Sequence, residues 1–304
     1  MSILSEPHFH CEEAAVERLE AIVWPNGPIC PHCGGLRSTQ IKGKTARPGL
    51  RSCTDCREQF RVTVGTIFER SHVPLHKWFQ AAHLLASSKK GISAHQLHRT
   101  LKVTYKTAWF MAHRLREAMK DGSLGQLGGG MKHVEADETF IGKKKGFPMR
   151  PGIGHKMAVM SLIERGGSVR SVHVDSVTRS TVEHIIRKNV APDSKLSTDT
   201  AAYYKRGKLG VNEHAMVNHF AEEYVRGDVH VNTLEGYFSI FKRGMKGVYQ
   251  HCSEKHLHRY LAEFDFRYNN RAAMGVADDA RATKRLRGIV GKRLTYRDSS
   301  VGRE

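Results

Sequence analysis

Cys30-Pro-His-Cys33, followed after 19 residues by Cys53-Thr-Asp-Cys56, constrains the N-terminal part of this chain more tightly than any hydrophobic pattern does. Each CxxC turn aims two sulfurs at one point, and two such turns complete a tetrahedron. Zn²⁺ has no geometric preference of its own and accepts four thiolates at about 2.3 Å in that arrangement. Gly34, Gly35, Gly43 and Gly49 supply turns between the pairs. The expectation is a zinc ribbon with one structural Zn²⁺ on Cys30, Cys33, Cys53 and Cys56. Ordinary buried thiols would not fall into paired turns, and no thioredoxin-like βαβ pattern surrounds them. Cys11 and Cys252 have no partner at ligand spacing and read as structural. Cysteine usage of this kind belongs to a reducing compartment.

The charge balance narrows the partners. Lys and Arg number 49 against 30 Asp and Glu, a net charge of +19 on 304 residues. A surplus that large attracts a polyanion, either nucleic acid or an anionic membrane surface. The longest apolar stretches, 157–163 and 81–86, fall far short of the roughly 20 residues that span a bilayer. The first 20 residues lack the basic and apolar regions of a secretory signal. A hydrophobic fraction of 39% with 28 Gly excludes a wholly disordered or fibrous chain. A cytoplasmic, nucleoid-associated protein with no membrane role is expected.

Texture divides the chain into five parts. Residues 1–70 hold the ribbon. Residues 71–121 are helical in pattern, 122–132 form a Gly-rich run that reads as a linker, and 133–271 alternate β-rich and helical stretches as an α/β domain does. Residues 272–304 read as a basic tail. Within the second part, Leu75, Trp78, Phe79, Ala82 and Leu85 have helical spacing. Ser93-x-x-Gln96 then reads as a capping box opening a short helix with Leu97 and Leu101. Thr104 is a candidate N-cap for a third helix whose apolar face is Ala108, Met111, Ala112, Leu115 and Met119. A short helix, a tight turn and a longer helix give the helix-turn-helix order, in which Tyr105, Lys106 and Thr107 would reach base edges. The alternative is a plain three-helix bundle.

Three acidic residues stand out in the α/β part. On a strand through 133–142, Asp137 shares a face with Glu135 and Thr139, while Val134, Ala136 and Phe140 share the other. Asp199 ends a short strand ahead of small residues. Glu235 opens a helix whose buried stripe is Leu234, Phe238, Phe241 and Met245. Lys242 lies seven positions beyond Glu235, only about 20° out of line at 100° per residue. Each acid has a structural alternative. Asn232-x-x-Glu235 fits a capping box, Asp199 fits a cap before Ala201, and Glu135 or Glu138 competes with Asp137 as the strand-end acid.

Together, VEADETFIGKK, LSTDTAAYY and HVNTLEGYFSIFKRGMKGVY, preceded by CPHC…CTDC, resemble the DDE transposases of bacterial insertion sequences, in particular the Merlin-related group with an N-terminal zinc ribbon. The resemblance spans roughly 15–271. It implies an RNase H-like catalytic domain, a mixed five-stranded sheet with helices on both faces, behind the ribbon and helix-turn-helix. It also implies Asp137, Asp199 and Glu235 as the carboxylate triad, with Lys242 as the basic residue beyond the third acid. Asn232 is the other candidate for the third position, since some members of the group place Asn there.

The chemistry of such a site explains the clustering. Phosphodiester cleavage and strand transfer need an activated nucleophile and a stabilised 3′ leaving oxygen. Two Mg²⁺ (or Mn²⁺) ions supply both and prefer hard oxygen ligands. The implied partners are double-stranded DNA, as the terminal inverted repeats of the element and as target, and a homo-oligomer assembled on DNA. Arg243, with Lys143, Lys144 and Lys145, would line the DNA path. A non-catalytic DNA-binding regulator and a structure-selective nuclease on the same fold are the competing readings.

Overall fold

In the computed structural model, which describes residues 3–120, 122, 124–205 and 209–295, the chain divides into two units. One runs to Lys120 and resumes at Ala272; the other spans Asp121–Arg271.

The first unit opens with α1 (Glu12–Val23), which buries Ala15, Val16 and Leu19. Three short antiparallel strands follow, β1 (Ser38–Gln40), β2 (Arg51–Cys53) and β3 (Gln59–Phe60), with Ser38 opposite Cys53 and Arg51 opposite Phe60. Arg51 donates to the Glu20 carboxylate of α1 at 3.1 and 3.4 Å. Gly49 sits at φ +73°, and a Cβ there would lie 2.4 Å from Val16 Cγ1, so only glycine lets the ribbon approach α1 this closely. Next, α2 (Leu75–Ser87) buries the five residues whose spacing predicts it. α3 (Ala94–Leu101) starts where Ser93 Oγ accepts the Gln96 N–H, and α4 (Tyr105–Ala118) where Thr104 Oγ1 accepts that of Thr107, each at 3.1 Å. Between them Lys102 turns in the left-handed region at φ 50°.

The second unit begins with a hairpin and a third strand: β4 (His133–Ile141), β5 (Met157–Glu164) and β6 (Val169–Val174). Then come α5 (Arg179–Asn189), β7 (Lys195–Asp199), the single turn α6 (Ala202–Lys205), β8 (Glu213–Val217), α7 (Asn232–Gly244) and α8 (Glu254–Asn269). The sheet order is β6-β5-β4-β7-β8. β4, β5 and β6 form successive antiparallel pairs, while β7 and β8 run parallel to β4. That order and polarity are the RNase H-like arrangement. β5 is buried along nearly its whole length, as a strand covered on both faces must be. On one face Val182, Ile185 and Ile186 of α5 meet Val134, Ala136, Met160 and Leu162. On the other, Leu234, Phe238 and Phe241 of α7 and Leu257, Leu261 and Phe264 of α8 meet Met157, Val159 and Ile163.

Two segments differ from what their composition suggests. The glycine-rich run ahead of β4 reads as a linker, yet Leu127 is buried and exchanges backbone bonds with Asn189 and Ala191. Successive N–H groups of Gly128, Gly129 and Gly130 donate to Glu164, Ser194 and Asp193. A Cβ on Gly128 would lie 2.1 Å from Ser194 Oγ, so this glycine serves close approach rather than flexibility. After α8 the chain returns to the first unit as α9 (Asp278–Arg287), with Arg281, Arg285 and Leu286 buried. Arg281 and Arg285 donate to the Ala86 and Ala82 carbonyls near the end of α2, at 2.8 and 2.6 Å. Lys292 Nζ donates to the Lys120 carbonyl at 2.5 Å. The segment read as a basic tail therefore contains a packed helix; its last residues, 296–304, lie outside those described. No helix among the described residues is long and apolar enough to cross a membrane.

Candidate active site

β4 is where the sheet changes polarity, with antiparallel β5 on one side and parallel β7 on the other. Ligands of open α/β sheets collect at the carboxyl ends of strands beside such a switch. The β4–β7 register runs from His133 opposite Lys195 to Glu135 opposite Ser197. Continued two positions, it sets Asp137 beside Asp199, the last residue of β7. Asp137 Oδ1 accepts the N–H of Glu138 at 2.7 Å, and Asp199 Oδ1 accepts that of Ala201 at 3.0 Å. Asp199 thus closes the turn into α6, as its position before Ala201 suggests, and this engages one oxygen of its carboxylate.

Asp137, Glu138 and Asp199 each bring a carboxylate oxygen within 4.8 Å of the others. Burial, aided by the charges of Asp199 and Glu235, pushes Asp137 up to about 7. Burial and then Asp137 and Asp199 push Glu138 up to about 8. Glu138 Oε2 accepts the buried Tyr204 hydroxyl of α6 at 3.1 Å. Three hard oxygen donors under mutual repulsion are a donor set that fits Mg²⁺ or Mn²⁺.

Glu235 and Lys242 are exposed on α7. Glu235 is not part of the three-carboxylate cluster; its side chain is 48% exposed, with Oε1 4.0 Å from His219 Nδ1. Both residues still act on Asp137, Glu235 raising its pKa and Lys242 lowering it. The capping-box alternative for Glu235 does not form. α7 begins at Asn232, Val231 occupies the cap position, and no side chain of the cap residue bonds the helix.

The cap comes from β4 instead. Glu135, fully buried, accepts the Leu234 N–H at 3.0 Å and the Thr233 hydroxyl at 2.8 Å. It also accepts Arg165 Nε at 2.7 Å, and Arg165 in turn holds the Asp228 and His230 carbonyls. Of the acids competing with Asp137, Glu135 anchors α7 and Glu138 joins the cluster. Sequence alternation misses Glu138, because it aims neighbouring strand residues at opposite faces.

The ribbon's four sulfurs also lie within 4.8 Å of one another, with Cys30–Cys56 at 3.7 Å and Cys33–Cys53 at 3.6 Å. A tetrahedron with 2.3 Å arms has edges of about 3.8 Å, so the cluster fits Zn²⁺. Backbone N–H groups of Cys56 and Asp55 hold the Cys53 thiol below its usual range. In α4, Tyr105 and Lys106 are exposed and Thr107 half-buried, with the Tyr105 ring 4.4 Å from that of His95. Arg243 Nε donates to the Ser239 carbonyl at 3.1 Å.

The family model for the ISXO2-like transposase domain matches residues 126–269, and that for the transposase zinc-ribbon domain matches 10–59. A relative described as an uncharacterized protein in transposable element ISH50, from Halobacterium salinarum, is 30% identical over 85% of this chain and 91% of its own length. An uncharacterized transposase-like protein of Haemophilus influenzae is 28% identical over 34% of this chain and 81% of its own. Among solved structures, a pre-cleavage Mos1 transpososome covers 68% of this chain and 74% of its own at 14% identity and TM-score 0.28. The Mos1 strand transfer complex covers 69% and 74% at 15% identity and TM-score 0.29.

Proposed function

The chain belongs to the ISXO2-like transposase family, and from that premise we propose that it cuts the terminal inverted repeats of its own insertion sequence and joins the freed ends to target DNA. The convergence of Asp137, Glu138 and Asp199 within 4.8 Å, where the middle of β4 meets the carboxyl end of β7, supports this most directly.

In this reading Asp137 and Asp199 hold the divalent cations, and Glu235 completes the set from α7. When bound, two Mg²⁺ or Mn²⁺ ions supply an activated attacking oxygen and a stabilised 3′ leaving oxygen. No side chain of the protein acts as nucleophile. Lys242, whose charge already lowers the pKa of Asp137, offsets the charge that the carboxylates present to a polyanion and would meet a phosphate of the substrate. Glu135 keeps the first turn of α7, and with it Glu235, registered to β4. The zinc ribbon and the α3–α4 pair grip the element end, with Tyr105, Lys106 and Thr107 on base edges and Arg243 toward a phosphate. Because two ends must be joined, the active species is an oligomer assembled on DNA.

The test is cleavage of a duplex carrying the element's terminal repeat, with Mg²⁺ or Mn²⁺. Asp137→Asn and Asp199→Asn are expected to abolish cutting while leaving end binding intact. Cutting retained in both variants overturns the reading.

A further inference from the structure

The β4–β5 connection, residues 142–156, carries Lys143, Lys144, Lys145, Arg150 and Lys156 and no acidic residue. Its base is pinned. Lys144 N–H donates to the His155 carbonyl at 2.8 Å, just beyond the last strand pair, and Lys144 Nζ donates to the Asp175 carbonyl at 2.6 Å beside β6. Every residue from 145 to 154 beyond that base is exposed. Among them Phe147, Met149 and Ile153 are 51, 77 and 52% exposed, a local concentration of large apolar side chains in water. Pro148 and Pro151 restrict the backbone of this tip, which lowers the entropy lost when it engages a partner.

We infer that this loop is a wedge for duplex DNA: its cations grip phosphates on either side while Phe147 and Met149 enter between base steps and unstack them about four base pairs or more from the cleavage point. Charge complementarity selects the partner. Cations with no carboxylate suit a polyanion, whereas a second copy would present the same positive loop from a chain of net charge +19. Apolar side chains flanked by Lys and Arg are the combination that opens base steps in bent duplexes. Placement agrees. The loop leaves β4 at Ile141, four residues past Asp137, or about 14 Å at about 3.4 Å per residue. That span equals about four base pairs at 3.4 Å per step of one strand. The substrate rests on the transposase reading above; the loop's own action does not require cutting.

The experiment uses the full chain and a duplex with 2-aminopurine stepped through positions two to eight base pairs either side of the scissile phosphate. Unstacking should raise its emission several-fold at positions about four or more base pairs out. Phe147→Trp adds a reporter to the three native tryptophans, and its extra emission should be quenched by stacking on the duplex. Phe147→Ser/Met149→Ser should abolish the 2-aminopurine signal with the salt slope of binding unchanged. Lys143→Gln/Lys145→Gln should reduce that slope by about 1.8, at about 0.9 per phosphate contact. An unchanged 2-aminopurine signal in the double Ser variant overturns the proposal. So does added emission in the Phe147→Trp variant that responds to vesicles of anionic lipid and not to DNA. Unstacking without cleavage would sink the enzyme reading and keep the wedge; cleavage without unstacking would do the reverse.

Discussion

Glu138 brings its carboxyl beside Asp137 and Asp199 although the pleat of β4 aims Asp137 and Glu138 to opposite faces. The β4–β7 ladder ends at Glu135 and Ser197, so past that point β4 has no paired strand on its β7 side, although its pairing with β5 runs on to Ile141, and Tyr204 steadies the Glu138 carboxyl. The consequence is a charge conflict with a definite sign. Asp137 and Glu138 titrate near 3.8 and 4.5 when unfolded and near 7 and 8 when folded. The folded state therefore binds their protons more tightly. The stability they contribute is full below about pH 4 and is lost as pH rises through 7 and 8. Metal-free protein should melt at progressively lower temperature between pH 6 and 9, and Asp137→Asn should melt above wild type at pH 9 with the margin closing toward pH 5. Mg²⁺ at pH 8 should recover the loss for wild type and not for the variant; scanning calorimetry reads all of this. A pH-independent difference between the two proteins would show that neither burial nor mutual repulsion raises these carboxyls.

Elements were legible where a local rule decides them. Thr104 and Ser93 cap helices because a hydroxyl before a periodic apolar run has a free N–H to accept, and Thr104→Ala should cost about 1 kcal/mol in urea denaturation. The stripe of α7 was legible for the same reason. Its cap was not, since Glu135 lies 99 residues upstream of Leu234 and only the assembled sheet brings them together. Truncating this fully buried carboxylate in Glu135→Ala should cost about 3–5 kcal/mol by stranding Arg165. Glycine runs misled, because composition does not distinguish freedom from tight fit. Two substitutions within the glycine-rich run ahead of β4 separate the cases. Gly130 has φ +57° and open space, so Gly130→Ala should cost about 1 kcal/mol from the left-handed backbone alone. Gly128→Ala should cost clearly more, because its Cβ would also overlap Ser194.

At the scale of the molecule, the ribbon cysteines and the net charge followed from spacing and counting, and the five-stranded sheet from the resemblance of the acidic motifs to DDE transposases. The division into units did not, because α9 contributes to a unit whose other helices end at Ala118 and no local pattern reports such a return. Separate units imply separable unfolding. Chelating Zn²⁺ should remove hydrogen-exchange protection from 30–60, since metal binding and folding are one event in a ribbon, and leave protection in β4, β5 and β7 intact; loss across both units would contradict the division. The interrupted unit also carries a consequence for birth on the ribosome. When the polypeptide emerges from N to C, α2 appears about 200 residues before the arginines that finish it, and all of the sheet domain is made in between. During that interval the site for α9 stands uncovered, so the nascent chain holds a finished sheet unit before the unit that began it is sealed.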